Sequence, residues 1–452
     1  MRCMRAKMNR ENSHKRADPA KPRHKPDART VSMIAVERVL YDKSFAAAAL
    51  NAEFTRYPQL SSRERAFATE LVYTTLRCRR ALEAELGKVA PRGLPKDRVV
   101  RAALLVGAAQ CLLLENASLP IAVDAAVTRV KALRDPKSSG FVNALLRRVG
   151  GGPRLDRATA MRQNVPEWLR VRLEAAVGGA EADALVGVLP TESAFGHSTN
   201  VRLVKGHPVP DWLEQAPTGR FAPGSRRIDR QGDLHVMPGY ASGDFVIHEE
   251  GAQLIAWGLD VREGSRVLDA CAGRGQKSTL LAERVGSSGT VWSADLYEAK
   301  LGALMAETAR LGLDNVRTLA VDWSVGGGSL PNDFEFALVD APCTGSGTLY
   351  KRPEILDRLS ESDPGRMGEL ATQILRSVGN HCRSGAEVVY AVCSVLPEEG
   401  EHVLERVNDL FELGTFKSEP LRSALGADVS FGLLLPLRRG TDGYFLASLR
   451  KR

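Results

Sequence analysis

Apolar positions recur at three- and four-residue spacing through the first third of the chain. In the last third they gather into short runs separated by helical stretches. From about Val31 to Val149 the pattern predicts helices throughout. "SSRERAF" (61–67) reads as a helix start, because Ser61 can cap the amide of Glu64 while Glu64 reaches back. Apolar residues then return on one face through Phe67, Leu71, Val72 and Thr75. A further helix is predicted over 97–114, another over 120–133 with Pro120 in a favourable first-turn position, and a last one over 140–149.

"GGGPRLDRAT" (150–159) interrupts the pattern with glycines and a proline and marks a joint. An amphipathic helix follows over 165–178, and 195–250 turns to short strands with Gly/Pro turns. From 264 strands alternate with helices: "SRVLDAC" (265–271), "TVWSAD" (290–295), "VRTLAVD" (316–322), "FEFALVD" (334–340) and "AEVVYAVC" (386–393), with "GYFLASL" (443–449) as a last strand. Such alternation predicts a mostly parallel sheet covered by helices on both faces. Four of these strands carry Asp at or near their ends (Asp269, Asp295, Asp322 and Asp340) and one ends on Cys393. Ligands bind beyond the carboxyl ends of such strands, so the five side chains are expected to converge on one crevice.

Composition narrows the class. The 452 residues leave room for two or three domains, and a net charge of +8 favours a polyanionic partner. Seven cysteines without paired spacing and without a CxxC support neither a disulfide framework nor a structural zinc site, so a cytoplasmic setting is expected. The most apolar stretch, 99–114, is broken by Arg101 and Gln110 and is shorter than the roughly 20 residues that span a bilayer; it reads as a buried helix. The first 30 residues carry ten Lys/Arg against three Asp/Glu and no apolar core. That excludes a secretory signal and predicts a solvated basic arm able to touch RNA.

The loop "DACAGRGQKS" (269–278) places glycines between a strand and a helix, where backbone amides can approach a ligand. It is not a P-loop, because Gln276 separates Gly275 from Lys277, and Ser278 stands where a dinucleotide loop needs its third glycine. Ordinary strand-end turns explain the loop by itself. Asp295, at the end of the next strand, adds an acceptor for ribose hydroxyls, and Asp322 one for an adenine edge. A nucleoside without a tightly cradled phosphate fits this set, and S-adenosylmethionine is such a molecule. Cys343 and Cys393 each sit just beyond a strand facing the same crevice. His381 and His402 flank Cys393 but occupy no strand-end loop, so no catalytic triad is read. A thiolate beside a methyl donor suits C5 of cytosine: addition to C6 makes C5 an enamine-like carbon, and an acid such as Asp340 stabilises charge near N3. Elimination then releases product, and a second cysteine can assist there. The residues alone leave open which cysteine attacks.

"DACAGRGQKS", "SADLYEAKL", "LVDAPCTGSGTLYKRPEI", "VVYAVCSVLPEEGE" and "LPLRRGTDGYFLASL" resemble, in order, the motifs of the Sun/Nop family of RNA cytosine-C5 methyltransferases. "RERAFATELVYTTLR" (63–77) and "GFVNALLRRV" (140–149) resemble the NusB-type RNA-binding domain that precedes the catalytic region in the bacterial Sun/Fmu type. The resemblance implies a basic tail over 1–30, an all-α NusB-like domain over 31–150 and a linker with a small α+β RNA-binding subdomain over 160–255. A Rossmann-like class I methyltransferase domain with a mostly parallel sheet would then occupy 256–452. It implies S-adenosylmethionine held by Cys271, Ala272, Gly273, Arg274, Gly275, Gln276, Lys277, Asp295, Asp322 and Asp340, with no metal. It implies that Cys393 is the nucleophile, that Asp340 orients the base and that Cys343 assists release. The expected partner is 16S ribosomal RNA, read at unpaired nucleotides with the target base splayed from its stack, and neither membrane nor DNA.

Two departures stand out. The family's loop usually reads Ala-Pro-Gly-Gly-Lys where this chain has Gly273-Arg274-Gly275-Gln276-Lys277, and His248-Glu249 replace a common Gln-Asp. Arg274 and Gln276 keep alive a rival, a non-catalytic RNA-binding factor with a degenerate pocket; the intact cysteine pair opposes it. A DNA cytosine methyltransferase lacks support, since no long target-recognition insertion separates the motifs.

Overall fold

The computed structural model describes residues 27–115, 118–189, 198–229, 232–426 and 428–452. The basic arm expected at the N-terminus thus lies, up to residue 26, outside the described residues. The first helix, Ala28–Tyr41, is capped by Asp27, whose carboxylate accepts the Thr30 amide. Helices then follow one another to Leu185. Helix Ser62–Arg77 starts with the reciprocal Ser61/Glu64 capping box that its sequence announces. Its Leu71, Val72 and Leu76 are fully buried against the helix Arg98–Leu113, which is itself almost wholly buried. The two polar residues that interrupt that helix are paired: Gln110 accepts from Arg29 Nε at 3.1 Å, and Arg101 bonds Glu83 at 2.7 Å. Burial of polar groups in this way is tolerated because each finds a partner. Among the described residues no helix is long and apolar enough to cross a membrane.

Beyond residue 197 two sheets form. The smaller is antiparallel, with β1 (Ser198–Leu203) between β2 (Ser225–Asp229) and β3 (Phe245–Ile247). The larger contains β4 (Arg266–Asp269), β5 (Thr290–Asp295), β6 (Val316–Ala320), β7 (Phe334–Asp340) and β8 (Cys382–Val392) in parallel. Three further strands, β9 (Phe411–Leu413), β10 (Phe431–Leu434) and β11 (Tyr444–Lys451), extend it antiparallel; β9 and β10 have too short a pattern to read from sequence. The strand order is β10-β11-β8-β7-β4-β5-β6. From β4 the chain winds outward through β5 and β6, then returns to the other side of β4 for β7 and β8. The reversal therefore falls between β4 and β7, which is where a doubly wound sheet opens a crevice.

The small sheet braces the first loop of the large one from behind. Arg202, only 1% exposed, pairs with Glu283 at 2.5 Å in the helix Gln276–Val285, and Gln276 Nε2 donates to the Ile247 carbonyl at 2.7 Å. The helical region in turn grips one segment of the α/β region, residues 350–358. Arg77 donates to the Tyr350 carbonyl from Nε (3.1 Å) and Nη2 (2.6 Å), and Arg79 Nε bonds Asp357 at 2.9 Å. The Ala46 amide donates to Glu354 at 3.1 Å and Arg358 to the Ser44 carbonyl at 2.6 Å. Leu169, Leu173 and Leu185, from the helices after the glycine joint, pack on Leu349, Ile355 and Leu396 of the same region.

Candidate active site

The two strands that flank the reversal both finish on Asp. Asp269 ends β4 and is 1% exposed; its Oδ2 accepts the Ser278 hydroxyl at 2.6 Å, while its Oδ1 has no hydrogen-bond partner. Burial pushes its carboxyl up to about 6, although the Ser278 hydroxyl and the Lys277 charge pull the other way. Asp340 ends β7, and its carboxylate meets Lys277 Nζ at 2.6 Å. Burial alone would lower the Lys277 ammonium, yet the charge of Asp340 raises it, so the pair stays ionic. Cys271 lies between them: burial first, then the charges of Asp269, Asp340 and Asp295, hold its thiol well above its usual range. The crevice thus gathers several carboxylates around Lys277.

The loop itself turns on Gly275, at φ +89°, where a Cβ would stand 2.4 Å from Leu304. No other residue fits there. Gln276 follows as the first residue of the helix, so a side chain at that position asks for no glycine conformation, and Arg274 points outward to solvent. Asp295, 7% exposed, reaches across to the loop: it accepts the Gly273 amide at 3.0 Å and the Tyr297 amide at 2.9 Å, with Lys300 at 3.2 Å. Asp322 stands further out. It is exposed, and its carboxylate accepts the amide and hydroxyl of Ser324, two residues on, at 2.9 and 2.6 Å.

The two cysteines meet. Cys343, three residues beyond β7, and Cys393, one beyond β8, place their sulfurs 3.1 Å apart. Their surroundings differ in sign. Either sulfur can donate in this hydrogen bond; the bond, together with the nearby charges of Arg352 and Lys277, lowers the Cys393 thiol against burial and the charge of Asp340. Cys343 is raised well above its usual range by that same hydrogen bond, by burial and by the charges of Cys393, Glu399 and Asp340. The cations Arg352 and Lys277 thus stand near Cys393, whereas the carboxylate of Glu399 stands near Cys343. The approach of the loops is close: the Gly347 amide donates to the Cys393 carbonyl at 3.0 Å, and a Cβ on Gly347 would fall 1.9 Å from the Gly443 carbonyl oxygen. His381, by contrast, precedes the opposite end of β8 and bonds the Pro331 carbonyl at 2.8 Å.

Around this pair lie groups that the motifs contain but to which the sequence reading gave no role. Asp442 binds Lys351 at 2.6 Å and takes the Tyr350 hydroxyl, and its amide donates to Glu249 at 3.2 Å. Glu249 also accepts the Tyr444 hydroxyl at 3.0 Å and caps the helix Glu250–Trp257 through the Ala252 amide. His248 is completely buried with both ring nitrogens unpartnered; burial, then Arg202 and Lys277, keep it neutral. Asp442 and Tyr444 thus find their partners in segments about a hundred and two hundred residues earlier in the chain.

With this geometry in hand the chain was compared with known proteins. Residues 256–450 match the model of the 16S rRNA methyltransferase RsmB/F family, and 26–150 match that of the NusB family. A ribosomal RNA small subunit methyltransferase B of Thermus thermophilus is 31% identical over 407 residues, covering 86% of this chain and 89% of the relative. The chain belongs to the RsmB/F family. A probable small subunit methyltransferase B of Synechocystis, 27% identical, covers 94% of this chain and 99% of its own. The crystal structure of PH0851 shares the fold over 94% of this chain and 99% of its own, with a TM-score of 0.80 at 20% identity. RsmB/F proteins are S-adenosylmethionine-dependent methyltransferases, and the cationic sulfonium and ammonium of that cofactor fit an acidic crevice that contains an orphaned carboxylate oxygen on Asp269.

Proposed function

We propose that the protein transfers a methyl group from S-adenosylmethionine to C5 of a cytosine in 16S ribosomal RNA through a covalent bond between Cys393 and C6, acting in the cytoplasm. The observation that carries the reading is the meeting of two sulfurs, 3.1 Å apart, beyond the carboxyl ends of adjacent parallel strands. Cys393, lowered by the Cys343 thiol, Arg352 and Lys277, adds to C6 as the thiolate. Asp340 orients the base, and the Lys277 ammonium it holds offers positive charge to the side of N3 where negative charge develops. C5 gains the nucleophilic character that the addition supplies. After transfer, the C5 proton passes to water, its C–H electron pair re-forms the C5–C6 double bond, and Cys393 leaves C6 as the thiolate; Cys343, beside it, assists this release.

The bound cofactor supplies an electrophilic methyl group. Asp269, the loop Cys271, Ala272, Gly273, Arg274, Gly275, Gln276 and Lys277, and the strand-end acids Asp295, Asp322 and Asp340 are the residues assigned to hold it. Asp295 does so in part by fixing the Gly273 amide. The helical region and the small sheet are assigned to the RNA, whose phosphates suit the net charge of +8.

The cysteine assignment is tested by incubating Cys343→Ala and Cys393→Ala with substrate RNA and S-adenosylmethionine and running a denaturing gel. A retarded protein–RNA complex is expected for Cys343→Ala, which attacks but stalls, and none for Cys393→Ala. The reverse pattern would exchange the two roles. Bisulfite sequencing of 16S RNA from a deletion strain identifies the product, and full conversion at every cytosine in both strains would remove the C5 assignment.

A further inference from the structure

One carboxylate joins the two cysteine loops. Glu399 ends the short turn Pro397–Glu399, six residues after Cys393, and is 1% exposed. Its Oε1 accepts the Thr344 amide at 2.6 Å. Its Oε2 accepts the Thr344 hydroxyl at 2.6 Å and the Ser394 hydroxyl at 2.5 Å. Thr344 is the residue after Cys343, and Ser394 is the residue after Cys393. These loops leave different strands and lie 50 residues apart in the chain, yet a single side chain binds both at the position next to the sulfur. Glu399 is itself anchored, since its carbonyl accepts the hydroxyl of the fully buried Tyr390, three residues before Cys393.

A buried carboxylate is an expensive way to build a simple strut. Among the described residues no lysine or arginine pairs with Glu399; the nearby Arg172 goes to Glu398 instead, at 3.0 Å. Three N–H and O–H donors alone satisfy it. A glutamine would keep only one acceptor oxygen and turn its amide toward hydroxyls that now donate, so the pattern of three donors favours an acid. The charge has a direction as well: it faces Cys343 and favours the protonated form of that thiol.

We propose that Glu399 is the positioning residue of the cysteine pair: it sets the register of the two strand-end loops so that the sulfurs face each other. Its catalytic consequence rests on the function proposed above, whereas its geometric consequence does not.

The test therefore reads geometry first. In the full-length protein, without RNA or cofactor, diamide accepts the two thiol hydrogens and leaves a Cys343–Cys393 disulfide, which peptide mass spectrometry times. Glu399→Gln is expected to slow this crosslinking at least fivefold. In turnover assays it should lower kcat at least tenfold with the KM for RNA within twofold, and covalent RNA complex should accumulate as for Cys343→Ala. Thr344→Val combined with Ser394→Ala keeps the carboxylate but removes two of its three donors, and should slow crosslinking in the same direction. This pair of changes carries the test if Glu399→Gln does not fold. Crosslinking within twofold of wild type in every folded variant overturns the proposal, as does slowed crosslinking with an unchanged kcat. Failure of the proposed reaction would show instead as an absence of any RNA adduct in the wild type and the Cys343→Ala protein, leaving the crosslinking rates untouched.

Discussion

Asp269→Asn should make the empty protein no less stable while emptying its cofactor site. Burial holds the Asp269 carboxyl at about 6, against an ordinary 3.8. A shift of about two units corresponds to a penalty of about 3 kcal/mol for keeping the folded carboxylate ionised at pH 7. The sign follows from proton binding. Between the two values the folded state holds the proton and the unfolded state does not, so this group's contribution to stability falls as pH rises. The penalty is complete above about 6 and absent below about 4. Asparagine removes the penalty. It still accepts the Ser278 hydroxyl, but it leaves an amide where Oδ1 already lacks a partner, at a cost of about 1–3 kcal/mol. The variant is therefore expected to range from neutral to about 2 kcal/mol more stable at pH 7, and its advantage should shrink by about 1.4 kcal/mol at pH 5. Urea denaturation of both proteins at the two pH values measures this difference, which cancels the other acids raised by burial. Calorimetry should show S-adenosylmethionine affinity reduced about 10- to 100-fold, the worth of a hydrogen bond to a charged group. Parallel pH profiles with a constant offset, or unchanged affinity, would refute the reasoning.

Two other outcomes are expected. Asp295→Ala removes the acceptor of the Gly273 amide and the partner of Lys300, and should weaken cofactor binding by about 1.5–3 kcal/mol with the fold intact; unchanged calorimetric affinity would take Asp295 out of the pocket. Arg352→Ala withdraws a positive charge that favours the Cys393 thiolate, so the rise of iodoacetamide labelling at Cys393 should move to higher pH. A profile that stays in place would separate Arg352 from the nucleophile.

The parts of the molecule legible in the sequence are those governed by local rules. The Ser61/Glu64 box, the buried helix over 98–113 and the strands Thr290–Asp295 and Phe334–Asp340 follow from caps and apolar runs, and the structure holds them at those residues. The crevice was legible because strand ends in such a sheet point one way, and Asp340 and Cys393 lie where that rule puts them. Asp322 shows the limit of the rule: its strand stops at Ala320, and the acid turns to its own Ser324. What remained hidden depends on contacts between distant segments. Nothing local marks Asp442 as the partner of Lys351, Glu249 as the acceptor for Tyr444, or residues 350–358 as the shelf on which the helices rest.

That shelf bears on how such a protein can be rebuilt. Residues 350–358 begin seven positions after Cys343, and their outward side is read by Arg77, Arg79 and Ala46. Exchanging the helical region for that of another protein would leave Asp357 and Glu354 facing strangers. A workable chimera would have its second crossover inside the catalytic half, carrying the nine-residue shelf along with its helices, so the natural unit of recombination here is discontinuous in the gene.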